Sequence, residues 1–109
     1  MIIEPMSISV SPKKRQELGK SLGSLVGPIQ VQPGCLSCRL FQSLPQQDDL
    51  QIEARWESQD DLIHHLKSES YMRLLLLMEL SAAPPVSEFP TVLELRGLDL
   101  VESARASSA

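Results

Sequence analysis

Three side chains that combine an aromatic ring with a polar atom lie in one short stretch of the chain: Trp56, His65 and Tyr71. Each can pack against a flat ligand, and each needs a hydrogen-bond partner when it is buried. A histidine can also hold or move a proton near neutral pH. The set therefore favours a cavity for an aromatic small molecule, with His65 as the proton-handling group. The same residue types also occur in ordinary hydrophobic cores, and that alternative stays open.

A strand and two helices are expected to position these side chains. Alternation places Ile52, Ala54 and Trp56 on one face of the strand, and Ala54 is small enough to leave room beside the indole. Ser58 breaks the alternation and is a good N-cap, because its hydroxyl can accept a hydrogen bond from a free N–H of the first helical turn. A second helix begins near Tyr71, so that the two helices overlook the same space as the strand face.

The order of the predicted elements indicates the fold. Hydrophobic periodicity and turn residues predict strands at 2–10, 35–44, 49–57 and 86–97, with helices at 11–29, at 58–67 and from about 71. This order is the split βαβ pattern of an α+β, ferredoxin-like fold with a four-stranded antiparallel sheet. Gly27 and Pro28 are expected to end or distort the first helix. We expect one domain over residues 1–102 and a flexible C-terminal tail over 103–109.

The composition excludes several classes of function. The 109 residues carry a net charge of −4 and one short basic cluster at 13–15, so nucleic acid is not an expected partner. The longest uninterrupted apolar run, from Leu74 to Met78, is far too short to cross a membrane. No targeting segment is recognisable, and a small fold with two cysteines needs no disulfide framework. We therefore expect a cytoplasmic protein.

Two pairs of potential metal ligands or redox groups are better explained by structure. Cys35 and Cys38 are three residues apart on a predicted strand, so their thiols should point to opposite faces and behave as small buried hydrophobes. His64 and His65 are neighbours on a helix, where side chains diverge by about 100°, whereas a shared metal ion needs positions i and i+4. The sequence therefore predicts neither a redox pair nor a metal site.

Two segments of the chain resemble a known family. The pattern RWES…L…HLKS…Y between Arg55 and Tyr71, preceded by PGCLSCRLFQ at 33–42, is similar to the antibiotic biosynthesis monooxygenase (ABM) domain family. The resemblance implies a ferredoxin-like fold that pairs as a dimeric α+β barrel. It also implies that Trp56 corresponds to a cavity residue of members that oxidise polycyclic phenols without metal or flavin, and that His65 is the histidine of the helix motif.

The function implied by this resemblance is a cofactor-independent monooxygenase that acts on a quinol or a similar aromatic small molecule. The expected catalytic residues are Trp56, His65 and Tyr71. The expected substrate-binding residues are Arg39, Ala54 and Leu75. Arg39 could stabilise a phenolate, or pair across the strands with Glu53 or Glu57. Haem-degrading relatives carry a ligating histidine near the position of Leu75 and an asparagine on the first strand, and this sequence has neither, so no cofactor is expected. The alternative is a non-catalytic dimeric module that binds a small molecule or only assembles.

Apolar residues on both faces of the second strand predict self-association. A four-stranded sheet with helices on one side leaves its other face bare, and Phe41 stands on the opposite face from Leu36 and Leu40. A monomer would expose more contiguous apolar surface than soluble monomers usually tolerate. We therefore expect a homodimer in which two sheets pack together.

Overall fold

The computed structural model describes residues 1–42, 49–80 and 98–107. Its elements in chain order are β1 (Ile2–Ser9), α1 (Pro12–Gln30), β2 (Cys35–Gln42), β3 (Asp49–Trp56), α2 (Gln59–Leu66), α3 (Glu69–Met78) and α4 (Leu98–Ser107). The three described strands form an antiparallel sheet in the order β1-β3-β2, with α1 and α2 against the sheet and α3 against both helices. This arrangement confirms the α+β, ferredoxin-like fold class. The fourth strand predicted at 86–97 lies outside the described residues.

One face of the sheet forms the floor of the hydrophobic core. Side chains of β1 and β3 alternate between buried and more exposed positions, as the strand period of two requires. The inward and buried side chains of the sheet are Ile2, Glu4, Met6, Ile8, Cys38, Leu50, Ile52, Ala54 and Trp56. The register of β1 with β3 places Ile2 opposite Trp56 and Glu4 opposite Ala54. Glu4 is therefore a carboxylate on an otherwise apolar face.

The first helix covers this face with one apolar stripe. The buried side chains of α1 recur at helical spacing, and they are Leu18, Leu22, Leu25 and Ile29. The helix begins at Pro12 after Ser11, as predicted, because a proline fits the first helical position. It continues through Gly27 and Pro28 to Gln30, so these two residues do not end it. A proline so close to the C-terminus removes only one hydrogen bond of the helix, and the helix survives that loss.

An irregularity at the start of β2 overturns two predictions. The register with β3 shifts between Cys35 and Ser37, so that Leu36 is an extra residue in the strand. Cys35 as well as Cys38 consequently packs against the core, and the prediction that the two thiols point to opposite faces is wrong. Both cysteines are free thiols. Leu36, which simple alternation places on the face of Cys38, is 54% exposed instead.

A glycine turn and two serine caps set the path from the strands to the helices. Gly34 has a φ of 79°, and a Cβ at this position would collide with the side chain of Asp61 in α2. Ser58 caps α2 by accepting a hydrogen bond from the N–H of Asp61, as predicted. Ser68 caps α3 in the same way through the N–H of Tyr71, so that α3 begins slightly before its predicted start.

The described chain ends in a helix where the sequence predicts a frayed tail. Residues Leu98–Ser107 form α4, which extends through most of the range 103–109. The apolar side chains of Leu100 and Val101 in this helix are each about half exposed. The domain boundary at 102 stays a prediction. Of the helices in the described ranges, none is long and apolar enough to cross a membrane.

Candidate functional site

Trp56 of β3, His65 of α2 and Tyr71 of α3 lie together, and we call these three rings the aromatic cluster. The indole of Trp56 stacks on the imidazole of His65, with ring centroids 4.5 Å apart and 25° between the ring planes. The ring of Tyr71 is nearly perpendicular to the same imidazole, with centroids 5.4 Å apart. Trp56 and His65 are completely buried, whereas Tyr71 is partly exposed. Tyr71 is therefore the member of the cluster that a molecule arriving from solvent can touch.

A buried carboxylate, Glu4 of β1, joins two of these rings. The indole N–H of Trp56 donates a hydrogen bond to Oε1 of Glu4 at 3.1 Å. Nε2 of His65 lies 3.0 Å from Oε1 and 3.2 Å from Oε2, so the imidazole faces both carboxylate oxygens. A carboxylate that is buried to this degree is costly unless it is paired and hydrogen-bonded. The indole nitrogen of Trp56 and Nε2 of His65 supply that pairing.

The second ring nitrogen of His65 is also in a hydrogen bond. Its Nδ1 lies 2.9 Å from Oε1 of Gln32, which belongs to the turn after α1. The Gln32 amide donates from Nε2 to Oγ of Ser68 at 3.3 Å, and the same Oγ accepts a hydrogen bond from the N–H of Tyr71. A continuous chain of polar contacts therefore runs from the indole through the carboxylate and the imidazole to the N-cap of α3.

Burial and the charge of Glu4 raise the pKa values of three acidic groups around the cluster. Burial raises the pKa of the Cys38 thiol from 9.0 to about 12, with smaller contributions from Cys35 and Glu4. Burial and then Glu4 raise the pKa of the Tyr71 hydroxyl above its ordinary 10.0. Burial raises the pKa of the Cys35 thiol, the hydrogen bond to the carbonyl of Ser37 opposes this shift, and Glu4 adds to it. At neutral pH all three groups are therefore protonated, so that they can donate hydrogen bonds and the thiols are poor nucleophiles.

The three residues predicted to bind substrate do not share one surface. Ala54 is buried on the inner face, directly across from Glu4. Arg39 is exposed on β2 and lies opposite Glu53 in the strand register. Leu75 is 41% exposed on α3. Ala54 therefore lies beside the carboxylate that holds the cluster, Arg39 points to the other face of the sheet, and the substrate-binding role of all three stays a prediction.

Sequence reasoning did not identify Glu4 and Gln32 as site residues. Strict alternation along β1 already places Glu4 on the inward face, between Ile2 and Met6. An acidic side chain at such a position needs a buried partner, and that was the available signal. Gln32 lies in a polar turn before Gly34, where a polar side chain is ordinary, so nothing in the sequence distinguishes it.

The surface cavities formed by the described residues include two that α1 helps to line. A cavity of about 350 Å³ lies between α1 and the end of the sheet away from Trp56, with Gly19 and Leu50 among its walls. A second cavity of about 280 Å³ lies between α1 and α3, with Leu25 and Leu76 among its walls. Within the described ranges, no group of three or more His, Cys, Asp or Glu side chains is placed to hold a metal ion.

Comparison with known families places most of the chain in one of them. The family model described as antibiotic biosynthesis monooxygenase matches residues 1–74. The matched range contains the whole aromatic cluster, together with Glu4 and Gln32. A comparison with curated proteins gave no match.

Solved structures share the fold of this chain at low sequence identity. A candidate antibiotic biosynthesis monooxygenase from Deinococcus radiodurans is 18% identical, with a TM-score of 0.79 over 89% of this chain and 97% of that chain. Rv0793 from Mycobacterium tuberculosis is 22% identical, with a TM-score of 0.77 over 88% and 98% of the two chains. A candidate antibiotic biosynthesis monooxygenase from Caulobacter crescentus CB15 is 25% identical, with a TM-score of 0.74 over 85% and 90%. These likenesses agree with the ferredoxin-like arrangement of the described elements.

Proposed function

Because this chain belongs to the antibiotic biosynthesis monooxygenase family, we propose that it is a cofactor-independent monooxygenase that acts on a quinol or a similar aromatic small molecule. The observation that carries the proposal is the aromatic cluster, in which Trp56, His65 and Tyr71 meet beside the carboxylate of Glu4. Stacked and perpendicular rings supply apolar surface for a flat substrate. The hydroxyl of Tyr71 is protonated at neutral pH and supplies a hydrogen-bond donor on the partly exposed member of the cluster.

In this proposal Tyr71 contacts the substrate, and the buried rings behind it set its surroundings. A hydrogen bond from the Tyr71 hydroxyl to a substrate oxygen stabilises the substrate anion, which is the form that reacts with oxygen in cofactor-independent relatives. His65 holds a proton close to the tyrosine ring. Trp56 closes the floor of the site against water, and Ala54 leaves room beside the indole.

Oxygen uptake with a panel of hydroquinones tests the proposal. We expect uptake that requires both the protein and a hydroquinone, and that persists after metal chelation and without added flavin. His65→Gln should lower turnover by roughly 100-fold, the usual effect of removing a positioned electrostatic group beside a reacting anion. His64→Gln is the matched control, because His64 is the exposed neighbour on the same helix and should leave turnover unchanged. If no hydroquinone raised uptake above the buffer rate, the proposed reaction would be rejected.

A non-catalytic dimeric module that binds a small molecule is the second candidate. It is favoured by the complete burial of Trp56 and His65, whose polar ring atoms already have hydrogen-bond partners within the chain. Trp56 is the single tryptophan of the sequence, so its fluorescence reports on ligands that reach the cluster. Quenching of this fluorescence by hydroquinones without any oxygen uptake would favour the binding module over the enzyme.

The working form that we propose is a cytoplasmic homodimer. Leu36 and Phe41 of β2 are 54% and 44% exposed, and a second copy packed against the outer face of the three described strands would cover apolar surface of this kind. The two free thiols suit a reducing compartment. Sedimentation at micromolar concentration should give twice the chain mass, and Phe41→Asp should shift the protein toward the monomer. A stable wild-type monomer would contradict the dimer.

A further inference from the structure

Both nitrogens of the His65 ring face oxygen atoms. Nε2 lies 3.0 Å and 3.2 Å from the two carboxylate oxygens of Glu4, and Nδ1 lies 2.9 Å from Oε1 of Gln32. A carboxylate oxygen and an amide oxygen accept hydrogen bonds and cannot donate them. Each contact therefore requires a proton on the ring nitrogen. Two protons on one imidazole make it an imidazolium cation.

The orientation of the Gln32 amide agrees with this protonation. With Oε1 toward the ring, Nε2 donates to Oγ of Ser68 at 3.3 Å. A serine oxygen has two lone pairs, so it can accept this hydrogen bond together with the one from the N–H of Tyr71 at 3.2 Å. The reversed amide would present its NH₂ group to Nδ1 and would suit a neutral imidazole. Ring protonation and amide orientation are consequently coupled.

The surroundings of Glu4 favour an ion pair over a neutral pair. The indole N–H of Trp56 can only donate, so it fixes Oε1 of Glu4 as an acceptor. Nε2 of His65 is almost equally far from both carboxylate oxygens, which is the arrangement of an N–H donor facing a carboxylate. The indole face stacked on the imidazole at 4.5 Å attracts a cation. These contacts all stabilise the charged forms.

Other titratable groups also face the carboxylate, from β2 and α3. They are Cys35, Cys38 and Tyr71, and each of them interacts electrostatically with Glu4. The raised pKa of each group leaves it neutral at neutral pH, so none of the three competes as a counter-charge for His65.

We propose that Glu4 and Gln32 are positioning residues that hold His65 as a doubly protonated imidazolium in a buried ion pair. Held in this way, His65 does not accept a proton from a substrate. It is a fixed cation that orients the indole of Trp56 through Glu4 and stands beside the ring of Tyr71. The protonation can be measured without any substrate, so a failed oxygen-uptake experiment and a failed protonation experiment are separate outcomes.

The ring nitrogens of His65 can be observed directly by ¹⁵N NMR of the full chain at neutral pH. Protonated and bare imidazole nitrogens resonate in well-separated ranges, and the exposed His64 gives a second, solvent-accessible ring in the same spectrum. We expect both His65 nitrogens in the protonated range. One His65 nitrogen in the bare range would overturn the proposal.

Two variants test whether Glu4 and Gln32 keep both ring nitrogens of His65 protonated. Glu4→Gln removes the charge and keeps an oxygen for the indole N–H, so one His65 nitrogen should move to the bare range. Glu57→Gln removes an exposed carboxylate just after β3 and should leave both signals in place. Gln32→Met removes the acceptor opposite Nδ1, should also give a bare nitrogen, and serves if Glu4→Gln does not fold. Two protonated nitrogens in both folded variants would show that neither Glu4 nor Gln32 holds the proton.

Discussion

The two ends of the inner sheet face are built in different ways. At one end, Ile8 of β1 lies opposite Leu50 of β3, and apolar side chains of α1 complete the core around them. At the other end, Glu4 takes the equivalent inward position on β1 and contacts Trp56 and His65 through polar atoms. Both ends use the same two strands and the same alternation. The difference lies only in which side chains occupy the inward positions.

The comparison separates stability from positioning. A fully buried isoleucine or leucine contributes about 1.5–3 kcal/mol to folding, because its apolar surface leaves water. A buried ion pair contributes little net stability, because the desolvation cost offsets most of the attraction. Hydrogen bonds have preferred directions, however, so a fully satisfied polar cluster fixes its rings more tightly than apolar contacts do. The apolar end is expected to act as the scaffold, and the polar end as the site.

Glu4→Ala should have the largest effect on the polar end. The substitution leaves the imidazole of His65 and the indole N–H of Trp56 buried without their acceptor, and breaking a buried pair in this way costs about 4 kcal/mol. Urea denaturation followed by circular dichroism measures the free energy of unfolding. A cost below about 1 kcal/mol would mean that the carboxylate is not a buried partner of the two rings.

Ile8→Ala is the matched change at the apolar end, on the same strand and equally buried. Loss of the side chain leaves a cavity and should cost about 3 kcal/mol. Unlike Glu4→Ala, it should leave hydroquinone quenching of Trp56 fluorescence unchanged, because the polar contacts of the cluster remain. Weaker quenching in Ile8→Ala would show that the two ends are not independent.

The apolar end was predictable and the polar end only in part. Periodicity predicted the strand β1, because it records which side chains leave water, and Ile2, Met6 and Ile8 alternate onto the inward face of that strand. The meeting of Trp56 with the helix side chains followed from strand and cap signals. The contact between Glu4 and His65 could not be predicted from such signals. The two residues are 61 positions apart, so tertiary packing brings them together and no local pattern encodes the contact.

The bulge in β2 escaped prediction for a related reason. The start of β2 contains one extra residue, and no proline or glycine inside the strand indicates it. Strict alternation places Cys35 on one face of β2 and both Leu36 and Cys38 on the other. The register shift instead turns Cys35 and Cys38 inward together. A shift of one residue reverses every face assignment beyond it, so periodicity alone cannot correct such an error.

Trp56→Phe should have a moderate effect on stability and sharpen the role of the indole N–H. The phenyl ring keeps most of the apolar bulk but leaves Oε1 of Glu4 without one donor, which should cost about 2 kcal/mol. If the cluster is the catalytic site, oxygen uptake should fall while the fold persists. Leu50→Met at the apolar end is the control, with a cost under about 1.5 kcal/mol and unchanged uptake. Oxygen uptake by Trp56→Phe that equals that of Leu50→Met would show that Trp56 is not a site residue.

Alkaline pH should destabilise the protein through Cys38, which lies in the same cross-strand row as Glu4. The thiol ionises near 9.0 in the unfolded chain, whereas its pKa in the folded chain is raised to about 12. Above pH 9 the unfolded state therefore binds fewer protons than the folded state, and the free energy of unfolding falls as the pH rises. One group contributes at most about 1.4 kcal/mol per pH unit to this slope.

Urea denaturation at about pH 8 and about pH 10 measures that slope, and Cys38→Ala should reduce it. The raised pKa of Tyr71 adds a loss of the same sign at higher pH. Ile8→Ala should lower stability at both pH values without changing the difference between them. An identical pH difference in wild type and Cys38→Ala would mean that the thiol does not stay protonated in the folded chain.

Tyr71→Phe should have the smallest effect on stability and still discriminate between scaffold and site. The Tyr71 side chain is partly exposed, and its ring contact with His65 survives the loss of the hydroxyl, so the free energy of unfolding should change by less than about 0.5 kcal/mol. If the hydroxyl stabilises a substrate anion, its removal should lower turnover by roughly 100-fold. The exposed neighbour Met72 offers the control, since Met72→Leu should change neither quantity. Unchanged turnover in a stably folded Tyr71→Phe would leave the polar end as a structural cluster in which Glu4 and His65 position rings that contact no substrate.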